Sequence, residues 1–338
     1  MKEALLYQKL DDETVRCNLC AHRCRIKNGG KGICQVRENR SGVLYTLVYG
    51  QSISQNVDPI EKKPLYHFYP GSRSFSIATP GCNFRCDWCQ NWEISQMPRE
   101  QHFIAGQKLS PDEIVALTKK TGCRSIAYTY TEPTIFFEYS YDTACLARNS
   151  GIANVYVSNG YMSPEMLELF HPWLDAANID LKAFRDETYR KHVGARLQPV
   201  LDSLKLIHDY GIWLEVTTLV IPGVNDDPGE LKNIAEFIAQ ELGVDTPWHI
   251  SRFFPQYKMS DIPPTPPSTL NRAGEIGRKA GLHYVYLGNL AVETNTDCPV
   301  CGYRVIRRDG FGVRENRVNA DSCCPDCGTS IAGVGLKR

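Results

Sequence analysis

Twelve of the 14 cysteines in this chain fall in three tight groups, four within 17–34, three within 82–89 and five within 298–327. Such spacing lets thiolates converge on a metal centre. Cys82, Cys86 and Cys89 form C-x3-C-x2-C in the run TPGCNFRCDWCQNW. A cubane iron–sulfur cluster ordinarily takes four thiolates, so three in one loop leave one iron without a protein ligand. An open metal position is where a substrate or cofactor binds. The same three thiols also suit a zinc ion completed by a distant residue, or a ferredoxin-like cluster whose fourth cysteine lies elsewhere.

The last group comprises CPVCG (298–302) and CCPDCG (323–328). These two knuckles resemble those of zinc ribbons and rubredoxins. Cys298, Cys301, Cys324 and Cys327 are the expected ligands, with Cys323 spare. Zinc is favoured there because no redox role is needed. Cys17, Cys20, Cys24 and Cys34 can fully ligate either a zinc or a second iron–sulfur cluster. Cys123 and Cys145 stand apart and are expected to be ordinary buried thiols.

Composition narrows the class. The chain has 338 residues, 42% hydrophobic and 22% charged, with a formal net charge of +0. No global field draws it to nucleic acid or an anionic membrane. Residues 302–338 hold seven Lys or Arg against four Asp or Glu, too mild an excess to favour a nucleic-acid role. No apolar run would span a bilayer, and the first residues lack the apolar core of a signal peptide. A cytoplasmic protein without disulfides is expected.

The elements that must position these groups read as three regions. Residues 1–73 carry the first cysteine group and an alternating stretch, 43–57, that reads as a β-hairpin. Residues 74–290 alternate apolar β-rich runs (74–79, 125–130, 154–159, 178–183, 213–221, 248–253 and a further candidate at 283–287) with segments of helical spacing (111–121, 164–174, 201–211 and 228–243). A Pro-rich loop, 262–269, precedes the last helix. Residues 291–338 carry the last cysteine group. Repeated strand–helix alternation implies a parallel sheet with right-handed crossovers. Spacing alone leaves a partial α/β barrel and a doubly wound sheet both open.

CNFRCDWC, with Trp88 before its last cysteine and a strand before its first, resembles the radical SAM motif. That resemblance implies a partial (β/α)6 TIM-type barrel with small cysteine-rich N- and C-terminal metal-binding extensions. It also implies a [4Fe-4S] cluster whose open iron is chelated by S-adenosylmethionine (SAM). Reductive cleavage of the sulfonium C–S bond would yield a 5′-deoxyadenosyl radical that abstracts hydrogen from a substrate.

Barrel enzymes gather their active groups at the C-terminal ends of strands. Glu132, in YTYTEPT, can accept a hydrogen bond from the SAM ammonium. Its Glu-Pro pair resembles the end of the family's Gly-Gly-Glu motif, with Tyr130 and Thr131 in place of the glycines. Ser158 and Asn159 suit the ribose hydroxyls or the SAM carboxylate. Asp180 and Lys182 alternate with Ile179 and Leu181, so both point to one face; NIDLK resembles the SAM-contacting motif of glycyl-radical-enzyme activases. By the same resemblance Val220 and Ile221 would pack the adenine or shape their loop. His249 would lie near SAM, and Arg252 would meet an anion.

The longer pattern adds VREN (36–39), DPIEKKPLYHFYPGS (58–72) and the terminal knuckles. It is similar to the radical SAM protein of the AmmeMemoRadiSam system, related to pyruvate formate-lyase activating enzymes. The resemblance implies a protein or small-molecule substrate, an electron donor such as flavodoxin or ferredoxin, and association with Memo-like and AMMECR-like proteins. Glycyl-radical activation is the leading specific expectation, and a non-catalytic metal- or nucleic-acid-binding scaffold is the rival class.

Overall fold

The computed structural model describes residues 1–337. Its centre is an eight-stranded sheet of β1 (Ser54–Pro59), β2 (Arg73–Ala78), β3 (Ser125–Tyr128), β4 (Ala153–Ser158), β5 (Ala176–Asp180), β6 (Trp213–Val220), β7 (Trp248–Arg252) and β8 (Val285–Gly288). β1 pairs antiparallel with β2; every later neighbour is parallel. Strand order follows chain order from one edge to the other. With right-handed crossovers, that order winds in one sense and sends every connecting helix to one face. A doubly wound sheet would reverse its order, so the sheet is singly wound, with β1 and β8 as its edges.

The helices begin where local chemistry says they should. α1 (Pro111–Lys120) opens on a capping box between Ser110 and Glu113, with Pro111 in its first turn. α2 (Phe137–Arg148) lies between β3 and β4. Ser163 caps α3 (Pro164–Phe170), and Asp227 caps α5 (Pro228–Phe237), each accepting from a backbone N–H three residues on. Between them runs α4 (Gln198–Asp209), and α6 (Pro267–Lys279) follows the Pro-rich loop. Ile60, Leu65 and Phe68 pack against Ala127, Val155 and Ala176 of the sheet.

One expectation fails. Residues 43–57 do not form a hairpin. Val43–Thr46 pairs with Arg37–Arg40 and Lys2–Glu3, Gln51–Ser52 pairs with Gln107–Lys108, and Ser54–Pro59 is β1 itself. Period-two alternation reports a strand with one buried face; it does not name the partner. The sheet's first strand therefore lies inside the region read as the N-terminal segment.

Residues 296–316 form a three-stranded antiparallel sheet around a small core of Val305, Ile306, Ile331 and Leu336. Besides a backbone bridge between Phe68 and Val334, two side-chain contacts tie this module to the central domain. Arg308, fully buried, donates to Tyr66 O at 2.6 Å and Thr296 Oγ1 at 2.8 Å, and its Nε lies 3.8 Å from buried Glu61. His67 Nδ1 bonds Ala332 O at 2.7 Å while Nε2 meets Tyr286 OH at 2.6 Å. Since a carbonyl only accepts, Nδ1 carries the proton and Nε2 accepts.

Burial lowers His67 to about 4 against an ordinary value of 6.5. The folded state thus favours neutral imidazole. Its stabilising effect is complete above pH ~6.5 and is lost as pH falls toward ~4, a loss of about 3 kcal/mol. Urea midpoints measured across that window should fall steeply in the wild type, and that step should be missing in His67→Gln.

Candidate active site

The loop after β2 carries the cysteine triplet. Gly81 N–H donates to Ile94 O at 3.0 Å, while Arg85 and Asp87 N–H donate to Val193 O and His192 O, each at 3.0 Å. Phe84 turns into the core, and the Phe84 N–H points at Cys82 Sγ, 3.3 Å away. Cys89 Sγ lies 3.2 Å from Ser95 Oγ. All three thiols line a cavity of about 600 Å³ at the C-terminal ends of the strands. Burial pushes Cys82 well above its ordinary value, with Glu132 adding to the effect, and Cys86 up to about 12. Such thiols ionise when a cation replaces their protons, which suits metal ligation.

Glu132 is a junction. Its Oε1 accepts from Thr134 N at 3.0 Å and from the Thr134 and Ser158 hydroxyls at 2.5 and 2.7 Å; Oε2 accepts only from Asn159 N at 2.8 Å. The carboxylate therefore ties the end of β3 to the end of β4 and keeps room at Oε2 for one more donor. Burial outweighs these donors and raises its pKa. Ser158 and Asn159 border the cavity, with their side chains already engaged. Ser158 Oγ donates to Glu132, and Asn159 Nδ2 donates to Asn83 Oδ1 at 2.8 Å, which steadies the cysteine loop.

Tyr130, standing where the resembling motif has glycine, adopts φ +65. That left-handed conformation is costly for a bulky residue. It is held by three contacts: the hydroxyl donates to Asp58, the ring lies 4.4 Å from Lys63 Nζ, and Tyr130 O accepts from Asn91 Nδ2 at 2.7 Å.

Asp180 and Lys182 share one face as alternation requires. Lys182 Nζ lies 3.0 Å from Asp180 Oδ2, and both border the cavity. Burial would lower the Lys182 pKa, but Asp180 and Cys86 raise it overall, so it stays cationic. His249 is buried in the cavity floor, its Nε2 2.6 Å from Glu215 Oε2. Glu215 also accepts from Tyr66 N, His67 N and Trp213 Nε1 at 2.8–3.0 Å. Burial would raise this carboxyl, but His249 and its other partners hold it below its usual range.

Two resemblance-based expectations are corrected. Val220 and Ile221 are fully buried in the core, and it is Leu219 that borders the cavity: Val220 faces the other way because successive strand residues alternate, and Ile221 lies beyond the strand's end. The remaining role, loop shape, fits Ile221 N–H donating to Asn225 Oδ1 at 2.7 Å. Arg252 is not on the cavity wall; it donates to Thr265 O at 2.8 Å.

Sequence reasoning missed Glu215, Asp58 and Lys63. Lys63, almost wholly buried yet bordering the cavity, pairs with Asp58 at 2.7 Å, and burial lowers its ammonium to about 8. The signal was present in DPIEKKP, a run with no local reason to be buried. Beside β8 the wall is completed by Thr294, Gly310 and Phe311 of the C-terminal module.

Outside the cavity, Cys298, Cys301, Cys324 and Cys327 bring their sulfurs within 4.8 Å of one another and could hold a metal. Cys17, Cys20, Cys24 and Cys34 line a separate small pocket. Cys123 is buried and Cys145 half-buried. No helix among the described residues is long and apolar enough to cross a membrane.

Residues 76–238 match the model of the Radical SAM superfamily. An uncharacterized protein of Methanocaldococcus jannaschii is 46% identical over 98% of this chain and 99% of its own length. A putative glycyl-radical enzyme activating enzyme of the same organism is 26% identical over 54% of this chain and 68% of its own length. The crystal structure of a radical SAM methyltransferase from Sphaerobacter thermophilus superimposes with a TM-score of 0.52 at 15% identity, covering 65% of this chain and 67% of that one, a likeness of fold. The family match over residues 76–238, which hold the three-cysteine loop that closes the first parallel strand, assigns the chain to the radical SAM superfamily.

Proposed function

We propose that Cys82, Cys86 and Cys89 each ligate one iron of a [4Fe-4S] cluster and that SAM occupies the adjoining cavity. When bound, this pair supplies a one-electron cleavage of the sulfonium C–S bond and a 5′-deoxyadenosyl radical. The supporting observation is the placement of three thiols, Glu132 and the Asp180–Lys182 pair around one cavity of about 600 Å³. Lys182 gives a cation for the SAM carboxylate, and Asp180 and the free position on Glu132 Oε2 accept from its ammonium. Asn159, through Asn83, holds the cysteine loop in register with β4. His249 and Glu215 stiffen the cavity floor and hold Tyr66 beneath it. Cys298, Cys301, Cys324 and Cys327 hold a structural zinc that keeps Phe311 at the cavity wall.

The reaction is hydrogen abstraction from a protein or small-molecule substrate, fed by a flavodoxin- or ferredoxin-type donor. Likeness to a glycyl-radical enzyme activating enzyme makes activation of a glycyl radical enzyme the leading specific reading, with Memo-like and AMMECR-like proteins as associated partners. A second reading, radical modification of a small molecule or peptide, draws support from the C-terminal module, whose Thr294, Gly310 and Phe311 line the cavity. Anaerobically reconstituted protein given dithionite and SAM should release 5′-deoxyadenosine. An intact cluster that yields none overturns the proposal. A doublet glycyl-radical EPR signal on a partner protein would separate the two substrate readings.

A further inference from the structure

The N-terminal cysteines have a spacing that distinguishes zinc from a cluster. One zinc ion draws four thiolates into a tetrahedron with edges of roughly 3.8 Å. A cubane gives each thiolate its own iron and holds them roughly 6 Å apart. The C-terminal four obey the first geometry, all within 4.8 Å and with two Sγ–Sγ pairs at 3.6 Å. Among the described residues, no three of Cys17, Cys20, Cys24 and Cys34 meet that spacing, and neither do Cys82, Cys86 and Cys89. Both groups are spaced more widely than the C-terminal four, and the N-terminal four line a single pocket.

Two buried donors in that pocket lack acceptors. Arg37 spends Nη1 on Glu138, at 2.9 Å to both oxygens, and Nη2 on Leu5 O at 2.8 Å, which leaves Nε without a partner. Asn83 Nδ2 is likewise unpartnered. Buried N–H groups without partners are rare, and sulfide or thiolate at a cluster would satisfy them.

The pocket also abuts the cavity's cysteine loop. His22 bonds Asn83 O at 2.8 Å, and Asn83 is the immediate neighbour of Cys82. At Gly81, φ +107, a Cβ would lie 2.8 Å from Val36 Cγ1, so the two segments are packed with no room between them. Four thiolates leave no open iron, which suits electron passage and not substrate binding. Within residues 16–40, Arg37 is buried against Glu138 and Arg23 and Arg40 pair with Glu165 and Glu38, while Arg25, Lys27 and Lys31 stand exposed and favour docking of an acidic donor.

We propose that Cys17, Cys20, Cys24 and Cys34 hold a second [4Fe-4S] cluster that relays electrons to the one at Cys82, Cys86 and Cys89, the relay resting on the function proposed above. A low-potential one-electron donor of the flavodoxin or ferredoxin class loses one electron. The N-terminal cluster takes it and passes it on, returning to its starting state, and no bond or proton changes there.

The test uses the full chain, reconstituted anaerobically. Wild type should carry about eight irons and eight sulfides. The Cys82→Ala/Cys86→Ala/Cys89→Ala variant should retain about four irons and, when reduced, an EPR signal indifferent to SAM. Cys20→Ala/Cys24→Ala should retain about four irons with an EPR signal that SAM alters, and lose flavodoxin-driven SAM cleavage by roughly tenfold or more. A triple variant that binds zinc and no iron overturns the second cluster and leaves the first untouched. A wild type with about four irons, all indifferent to SAM and all retained in the triple variant, supports the N-terminal cluster and overturns the function proposed above. Should Cys20→Ala/Cys24→Ala fail to fold, the triple variant decides the cluster, and freeze-quenched mixing of wild type with reduced flavodoxin decides the relay: the SAM-indifferent EPR signal should appear before the SAM-altered one, and the reverse order overturns the relay. Unchanged flavodoxin-driven cleavage without the N-terminal cluster overturns the relay.

Discussion

Cys82→Ala is expected to lower reductive SAM cleavage by at least about a thousandfold, to the level of reductant alone. The three thiols come from one loop, and two thiolates do not secure a cubane that already lacks a fourth protein ligand. The change should leave the fold intact. Cys82 is only half-buried, and the packing of the loop comes from Phe84 and Trp88, both within the core. The loop's backbone bonds to Ile94, His192 and Val193 do not involve the thiol. The variant should therefore melt close to wild type while losing the iron of this site and its 5′-deoxyadenosine product. Lys182→Met would then act differently, raising the SAM concentration needed while the iron stays. Full iron and full product in Cys82→Ala would show that the triplet is not the ligand set.

Arg308→Ala should destabilise the chain by about 3–5 kcal/mol, the cost of leaving a buried charge without its partner. Both Arg308 and Glu61 are fully buried, and their nearest atoms are 3.8 Å apart. Each retains a polar atom without a hydrogen bond, Arg308 Nε and Glu61 Oε2. The pair is thus an electrostatic contact between two buried groups. Burial raises the Glu61 carboxyl, and Arg308 opposes that rise. Removing the arginine leaves Glu61 to take up a proton. It also strips Tyr66 O and Thr296 of their donor, and Tyr66 of the guanidinium 4.6 Å from its ring centre. Tyr66 packs edge-on against His249, so the loss reaches the cavity floor. Urea denaturation should show a lower midpoint, and protease should cut near 291–296 sooner. Arg308→Met with Glu61→Gln should recover much of the loss, since no charge then stays buried. A change under about 1 kcal/mol in Arg308→Ala would mean that the module docks by other contacts.

Much of the site was legible in the residues because its logic is local. The three thiols at 82, 86 and 89 sit in one loop, and the gaps between them are written in the chain. Asp180 and Lys182 face one way because strand residues alternate, a rule that needs no partner. Capped helices and apolar strands announced the alternation of the core, and the last apolar run, 283–287, takes its place as β8. What failed was pairing. The stretch 43–57 alternates correctly, yet its residues belong to three different sheets. Val220 and Ile221 carried the right chemistry for a nucleobase but point into the core.

The sequence by itself determined the three groups of thiols, the order of strands and helices, and the polar residues that end each strand. Those follow from spacing, periodicity and capping, all interactions within a few residues. Only the tertiary structure decided that the sheet winds in one sense, that Glu215 grips His249 from the neighbouring strand, and that Lys63 and Arg308 are buried. It alone placed the N-terminal cysteines beside the Cys82–Cys89 loop and gave them a wider spacing than the C-terminal four. Each of these depends on contacts between residues far apart in the chain, whose energies come from desolvation and shape and leave no periodic trace in the order of amino acids.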